Sequence, residues 1–189
     1  MPKSATKTPT LVHLKVTLND IRPAIWRRLR VPDSMNLGQL SMLIQAAMGW
    51  NGGHLHAFEI GGQQYGDPSM IEEGEDERRM TIKKLMHEGI TRFGYTYDFG
   101  DSWEHAVLIE KKPPPPGSPR APACVGGARA CPPEDCGGPP GYDELIAALA
   151  APDKPASRQL LEWAGEDFDP EYFSPEEVNA RLKSWSAQF

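Results

Sequence analysis

Two short segments hold most of the side chains that could do chemistry. The first runs from Tyr95 to His105 and reads Tyr-Thr-Tyr-Asp-Phe-Gly-Asp-Ser-Trp-Glu-His. The second runs from Arg129 to Gly138 and reads Arg-Ala-Cys-Pro-Pro-Glu-Asp-Cys-Gly-Gly, with Gly141-Tyr142 close behind. Carboxylates, an imidazole, thiols and aromatic rings packed this densely point to the lining of a site or to the pinning of an irregular loop. If the two segments converge, Asp98, Asp101, Trp103, His105, Glu134, Asp135 and Tyr142 line one polar pocket.

Metal ligation is the most specific chemistry these residue types allow. His54 and His56 are two apart, so on a strand both imidazoles project to one face. With His105 and either Asp98 or Asp101 they would offer mixed nitrogen and carboxylate ligands, which suit zinc, manganese or iron. Glu134 or Asp135 could then activate a bound water, the arrangement of a metal-dependent hydrolase. The alternative for each histidine is a core imidazole bonded to a backbone carbonyl. His105 is expected on an inward face beside Trp103 and close to a carboxylate that would orient it. Asp98 and Asp101 are equally explained as turn acids bonding their own backbone.

Cys124, Cys131 and Cys136 are spaced C-x6-C-x4-C, looser than a zinc knuckle. Three thiolates and a nearby histidine would close a tetrahedral zinc site; free thiols and a Cys131–Cys136 redox pair are the alternatives. Pro132-Pro133-Glu134-Asp135 followed by Gly137-Gly138 is a rigid segment leading into a flexible one. Its carboxylates could bind a cation, cap a helix or pair with Arg129. The cofactor stays open on these residues, with zinc or another divalent metal as the candidate. Asp98-Phe99-Gly100 has the letters of the kinase magnesium motif, but no glycine-rich nucleotide loop or His-Arg-Asp loop accompanies it.

The elements that must position these residues read as strands first and helices last. Leu11–Leu18 and Ile25–Val31 alternate and form a hairpin, with Ile25, Arg27, Leu29 and Val31 on one face and Trp26, Arg28 and Arg30 on a wet, basic one. Asn36 and Gln39 make a capping box for a helix whose apolar stripe is Leu37, Leu40, Ile44, Ala47 and Met48, and Gly49 ends it. Trp50–Gly53 is a turn into a strand from His54 to Ile60. Glu72–Arg79 reads as a solvated charge run, and Thr81–Met86 as a short helix. Arg92–Asp98 and Trp103–Glu110 flank a hairpin turn, with Phe93, Tyr95, Tyr97 and Phe99 as a core row. A proline-rich connector lies near 112–123. Helices follow at Tyr142–Ala150, Ser157–Ala164 and from Ser174-Pro175. The pattern is α+β: a mainly antiparallel sheet, helices on one face and a helical C-terminal third. Residues 1–10 read as a disordered tail and 11–189 as one domain.

The 189-residue chain has a formal charge of −6, and residues 131–189 hold twelve acidic and four basic groups. That balance disfavours nucleic acid as a partner, which demands clustered Lys and Arg. No apolar run is long enough to cross a bilayer, and no secretory leader is visible, so a cytoplasmic, membrane-free setting is expected.

Trp26-Arg-Arg, Ala47-Met-Gly-Trp50 with His54-Leu-His56, Tyr97-Asp-Phe-Gly-Asp-Ser-Trp-Glu-His105, Ala130-Cys-Pro-Pro-Glu-Asp-Cys-Gly-Gly138 and Gly141-Tyr142 resemble the plasmid pRiA4b ORF-3-like family. The resemblance runs from about Leu11 to Leu182. It implies a compact α+β fold and no established activity. Members of that family also bear a resolvase-like name as passengers of insertion elements, which implies association with mobile elements. Nothing here looks like a recombinase, which needs a nucleophile in an arginine-rich site. The expected function is a cytoplasmic binding module with a polar pocket between the Asp98–His105 hairpin and the Cys131–Gly138 loop. A metal-dependent hydrolase and a nucleic-acid accessory factor using Trp26–Arg30 are the alternatives; the residues do not decide whether the chain is an enzyme.

Overall fold

The computed structural model describes residues 10–71, 74–119, 122–165 and 167–186, so the expected N-terminal tail lies almost wholly outside the described residues. Eight strands form one sheet: β1 (Leu11–Leu18), β2 (Trp26–Pro32), β3 (His56–Ile60), β4 (Gln63–Gly66), β5 (Glu75–Asp76), β6 (Arg92–Tyr97), β7 (Trp103–Ile109) and β8 (Ala123–Ala128). Their order is β5-β4-β3-β6-β7-β1-β2-β8, and every pairing is antiparallel except β4 with β5. The helices are α1 (Leu37–Met48), α2 (Ile82–His87), α3 (Gly138–Ala150), α4 (Pro155–Ala164) and α5 (Pro175–Ser186). The protein is α+β, as its sequence pattern indicates.

Alternation sets the two faces of the sheet. Val12, Leu14, Val16 and Leu18 of β1 are buried, as are Leu29 and Val31 of β2 and Val107 and Ile109 of β7. They form one core with Leu37, Leu40 and Ile44 of α1, Leu145 of α3, and Val178 and Leu182 of α5. The other face is open. On it the Lys15 ammonium lies 5.0 Å from the centroid of the Trp26 ring, and the guanidinium of Arg28, the cross-strand neighbour of Lys15, 5.3 Å from it. Arg28 also forks onto both oxygens of Glu110 at 2.8 Å.

Helix α1 starts at the expected capping box: Asn36 accepts from the Gln39 amide, and Gln39 accepts from that of Asn36. It has no basic residue in its last turn. Two distant arginines supply the positive charge that its carbonyl end favours. Arg27 donates to the Ala47 carbonyl and Arg181 to that of Ala46. Arg27 is 3 % exposed, and its other donors reach the carbonyls of Trp26, Ala128 and Arg129 and the Cys131 sulfur. A buried guanidinium is tolerable only when its donors are met in this way.

Several segments differ from the sequence expectation. The strand expected from His54 begins only at His56, so the two imidazoles do not share one strand face, and α3 and α4 begin earlier than expected, at Gly138 and Pro155. The charge run expected to be solvated instead contributes β5 and a 3-10 turn, Glu77–Arg79, whose Glu77 is buried. The reason is a partner: His56 Nε2 lies 2.9 Å from the Glu77 carboxylate. Strand β8 begins where only a connector was expected. Its Gly126-Gly127 pair hides the strand signal, and the absent side chain at Gly127 makes room for the Phe173 ring.

Strand β8 is an edge of the sheet, and an unpaired edge invites association. Helix α5 blunts it. The Asn179 side chain accepts from the Cys124 amide at 2.8 Å and donates to the Cys124 carbonyl at 2.9 Å, standing in for a further strand. Asn179→Ala should cost about 1–3 kcal/mol by stranding both groups and raise the tendency to self-associate. Urea unfolding with light scattering checks this; an unchanged midpoint and no added scatter would contradict it.

Candidate functional site

Trp50 follows directly on the Gly49 cap of α1 and is 3 % exposed. Its ring stacks on Tyr97 of β6 with centroids 4.8 Å apart and 13° between planes. Its indole N–H donates to the Pro132 carbonyl at 3.0 Å, drawing the Cys131–Gly138 loop over the end of the sheet. Glu134 of that loop accepts from the Tyr97 hydroxyl at 2.6 Å and from the Asn51 amide and side chain at 3.1 and 2.7 Å. Burial, with the Glu134 carboxylate second, pushes the Tyr97 phenol far above its ordinary range.

The β6–β7 turn meets the same loop. Asp101 accepts from the Gly137 amide at 3.1 Å, near the start of α3. A side chain at Gly138, where φ is +68°, would collide with the Asp101 carbonyl oxygen. Asp98 accepts from the Gly100 and Asp101 amides with one oxygen. Its other oxygen lies 3.4 Å from His54 Nδ1. The far side of that imidazole, Nε2, lies 3.4 Å from Asp135. His54 also stands edge-on to Tyr97 at 5.7 Å.

One imidazole is thus flanked by two carboxylates. Ligand atoms of His54, Asp98 and Asp135 lie within 4.8 Å of one another. Two ligands on one ion at bonds of ~2.1 Å are at most about 4.3 Å apart, so small side-chain rotations would complete such a set. Both acids sit in the left-handed region, Asp98 at φ 56° and Asp135 at φ 59°, a conformation costly for most residues and least so for Asp and Asn. Asp98 is 8 % exposed, whereas the Asp135 side chain is 73 % exposed and reaches in from solvent.

The other candidate residues lie elsewhere. His56 is committed to Glu77. His105 and Trp103 are each 1 % exposed, inside the aromatic core. His105 Nδ1 is 3.2 Å from the Tyr95 carbonyl, and among the described residues its Nε2 has no partner and no carboxylate orients it. The inward face that carries it is filled by the rings of Trp50 and Tyr95, which excludes an acid. Tyr142 is also buried, its hydroxyl without a hydrogen-bond partner among the described residues. Phe99, expected in the core row, is 41 % exposed at the turn because the chain has already left β6. Cys124, Cys131 and Cys136 are free thiols, and among the described residues none joins a metal-ligating group. Burial raises all three above the ordinary thiol range, Cys136 to about 12. Trp50, Asn51 and Tyr97 were not among the expected site residues. A tryptophan inside a Trp-Asn-Gly-Gly turn is a signal in itself, since a large ring in a loop needs something to cover it.

An antiparallel sheet backed by helices on one face, with a histidine between two aspartates at the rim, defines a small α+β module with a candidate cation-binding mouth. The chain belongs to the plasmid pRiA4b ORF-3-like family, whose signature matches residues 10–177. It is 37 % identical over 185 residues to the uncharacterized protein y4hQ of Sinorhizobium fredii, covering 95 % of this chain and 94 % of that one. It is also similar to the crystal structure of a protein of unknown function, MM3350 from Methanosarcina mazei Go1. That likeness has a TM-score of 0.83 and 35 % identity over 91 % of this chain and 99 % of that one. Among the described residues no helix is long and apolar enough to cross a membrane.

Two predictions follow from this geometry. Gly138→Ala should push the loop off the turn and destabilise the fold, while a surface glycine with open space, Gly53→Ala, should not; thermal melts of the two variants compare them. Burial holds His105 down at about 4. Its neutral form is favoured in the fold, so its contribution is complete above the unfolded value near 6.5 and is lost as pH falls toward 4. The loss is on the order of 3 kcal/mol. Denaturant titrations at pH 7 and 4 should therefore show a smaller acid loss for His105→Phe than for the parent.

Proposed function

We propose that this protein is a binding module whose mouth takes a divalent cation through His54, Asp98 and Asp135. One observation carries the reading: the three ligand atoms come from three separate segments yet lie within 4.8 Å of one another. One imidazole and two carboxylates suit zinc, manganese or ferrous iron. Glu134 acts one step back. It gives its oxygens to Tyr97 and Asn51 and so fixes the loop that presents Asp135. That commitment favours binding over hydrolysis, because Glu134 is not left as a base for a bound water. Three cysteines without a disulfide suit a reducing, cytoplasmic compartment.

The test is calorimetry on chelator-treated protein with Mn²⁺ and with Zn²⁺. One ion per chain is expected, with Asp135→Asn and His54→Ala each weakening binding at least about tenfold. Asp135 is exposed, so its variant should stay folded by circular dichroism. No stoichiometric binding by the parent, or undiminished binding by Asp135→Asn, would remove the proposal.

A further inference from the structure

The open face of the sheet carries a cavity of about 470 Å³, within the range of small-molecule sites. Its floor is Thr17 of β1 with Ala106 and Leu108 of β7, and the turn after β1 forms one wall through Asn19, Asp20 and Arg22. Arg92 of β6 and Lys15 of β1 are the cross-strand neighbours of Leu108 on either side. Arg92, Leu108 and Lys15 therefore form one row across three strands, about 4.8 Å apart each. One row along, Gly94, Ala106 and Thr17 keep the floor low.

Three cations line this cavity, and none of them is ion-paired among the described residues, although the chain has more acids than bases. Asp20 and Glu104 line the same cavity, and neither forms an ion pair with any of the three. Among the described residues, Arg22 reaches the Ile21 carbonyl at 3.3 Å and Lys15 meets the Trp26 ring. Leu108, between Arg92 and Lys15, is 40 % exposed. Three cations against two acids leave the cavity net positive, with a cation on each side of an exposed apolar side chain, which complements a small anion with an apolar body.

We propose that this cavity binds a small organic oxyanion, with its phosphate or carboxylate held by Lys15 and Arg92 and its apolar part on Leu108. The site is independent of the cation mouth and lies on the face of the sheet turned away from the core.

Phenyl phosphate, benzoate and inorganic phosphate, each titrated calorimetrically into the intact protein at low salt, test it. Phenyl phosphate should bind most tightly, above benzoate through its second charge and above inorganic phosphate through its ring. Arg92→Gln and Lys15→Gln should each weaken it at least about fivefold, and Glu104→Gln should tighten it. Lys83→Gln, on the exposed surface of α2, should leave it unchanged. No binding at low salt would overturn the proposal, as would a loss for Lys83→Gln equal to that for Arg92→Gln, which would mean diffuse charge attraction. Equal affinity for inorganic and phenyl phosphate would overturn the role of Leu108.

Discussion

The contact on which the rest depends is that of Trp50. Its ring is buried against Tyr97, Trp103 and His105, which removes a large apolar area from water at the point where α1 hands the chain to the sheet. A buried indole N–H must find an acceptor or cost about 1–3 kcal/mol. The Pro132 carbonyl takes it at 3.0 Å. The proline pair at 132 and 133 stiffens the loop so that this one bond fixes a long stretch. Glu134, Asp135 and Gly137 then fall where Tyr97, His54 and Asp101 can meet them.

The mouth is built on irregular backbone held by a regular frame. Asp98 leaves the end of β6 in a left-handed conformation, and its amide donates to the Leu55 carbonyl next to His54. Histidine and acid are thus linked through main chain as well as through side chains. Asp135 reaches the imidazole from the opposite side and from solvent. One carboxylate is shielded and held by two backbone amides, the other stands in solvent.

The legible parts of the fold are those with local causes. The Asn36–Gln39 box and the apolar stripe behind it define α1, and strict alternation defines β1 and β2. What stayed hidden has distant causes. Strand β5 has two acidic residues and exists because β4 pairs with it and His56 receives Glu77. Strand β8 contains two glycines, one of them required by Phe173 far along the chain. At the site, the dense segments stand out by composition. Which histidine meets which acid is another matter: the bond from Gly137 to Asp101 spans 36 residues, and no local pattern encodes it. His54 and His56 look alike in sequence, yet one faces the rim and the other is drawn to Glu77.

The reach of α5 has a consequence for how the chain is made. Helix α5 supplies Asn179 to the β8 edge and Arg181 to the end of α1. A ribosome releases residues in order, so the eight described strands are synthesised before the helix that covers the β8 edge. A nascent polypeptide paused short of this helix presents an open β8 edge to its neighbours. Synthesis of α5 is the step that covers this edge.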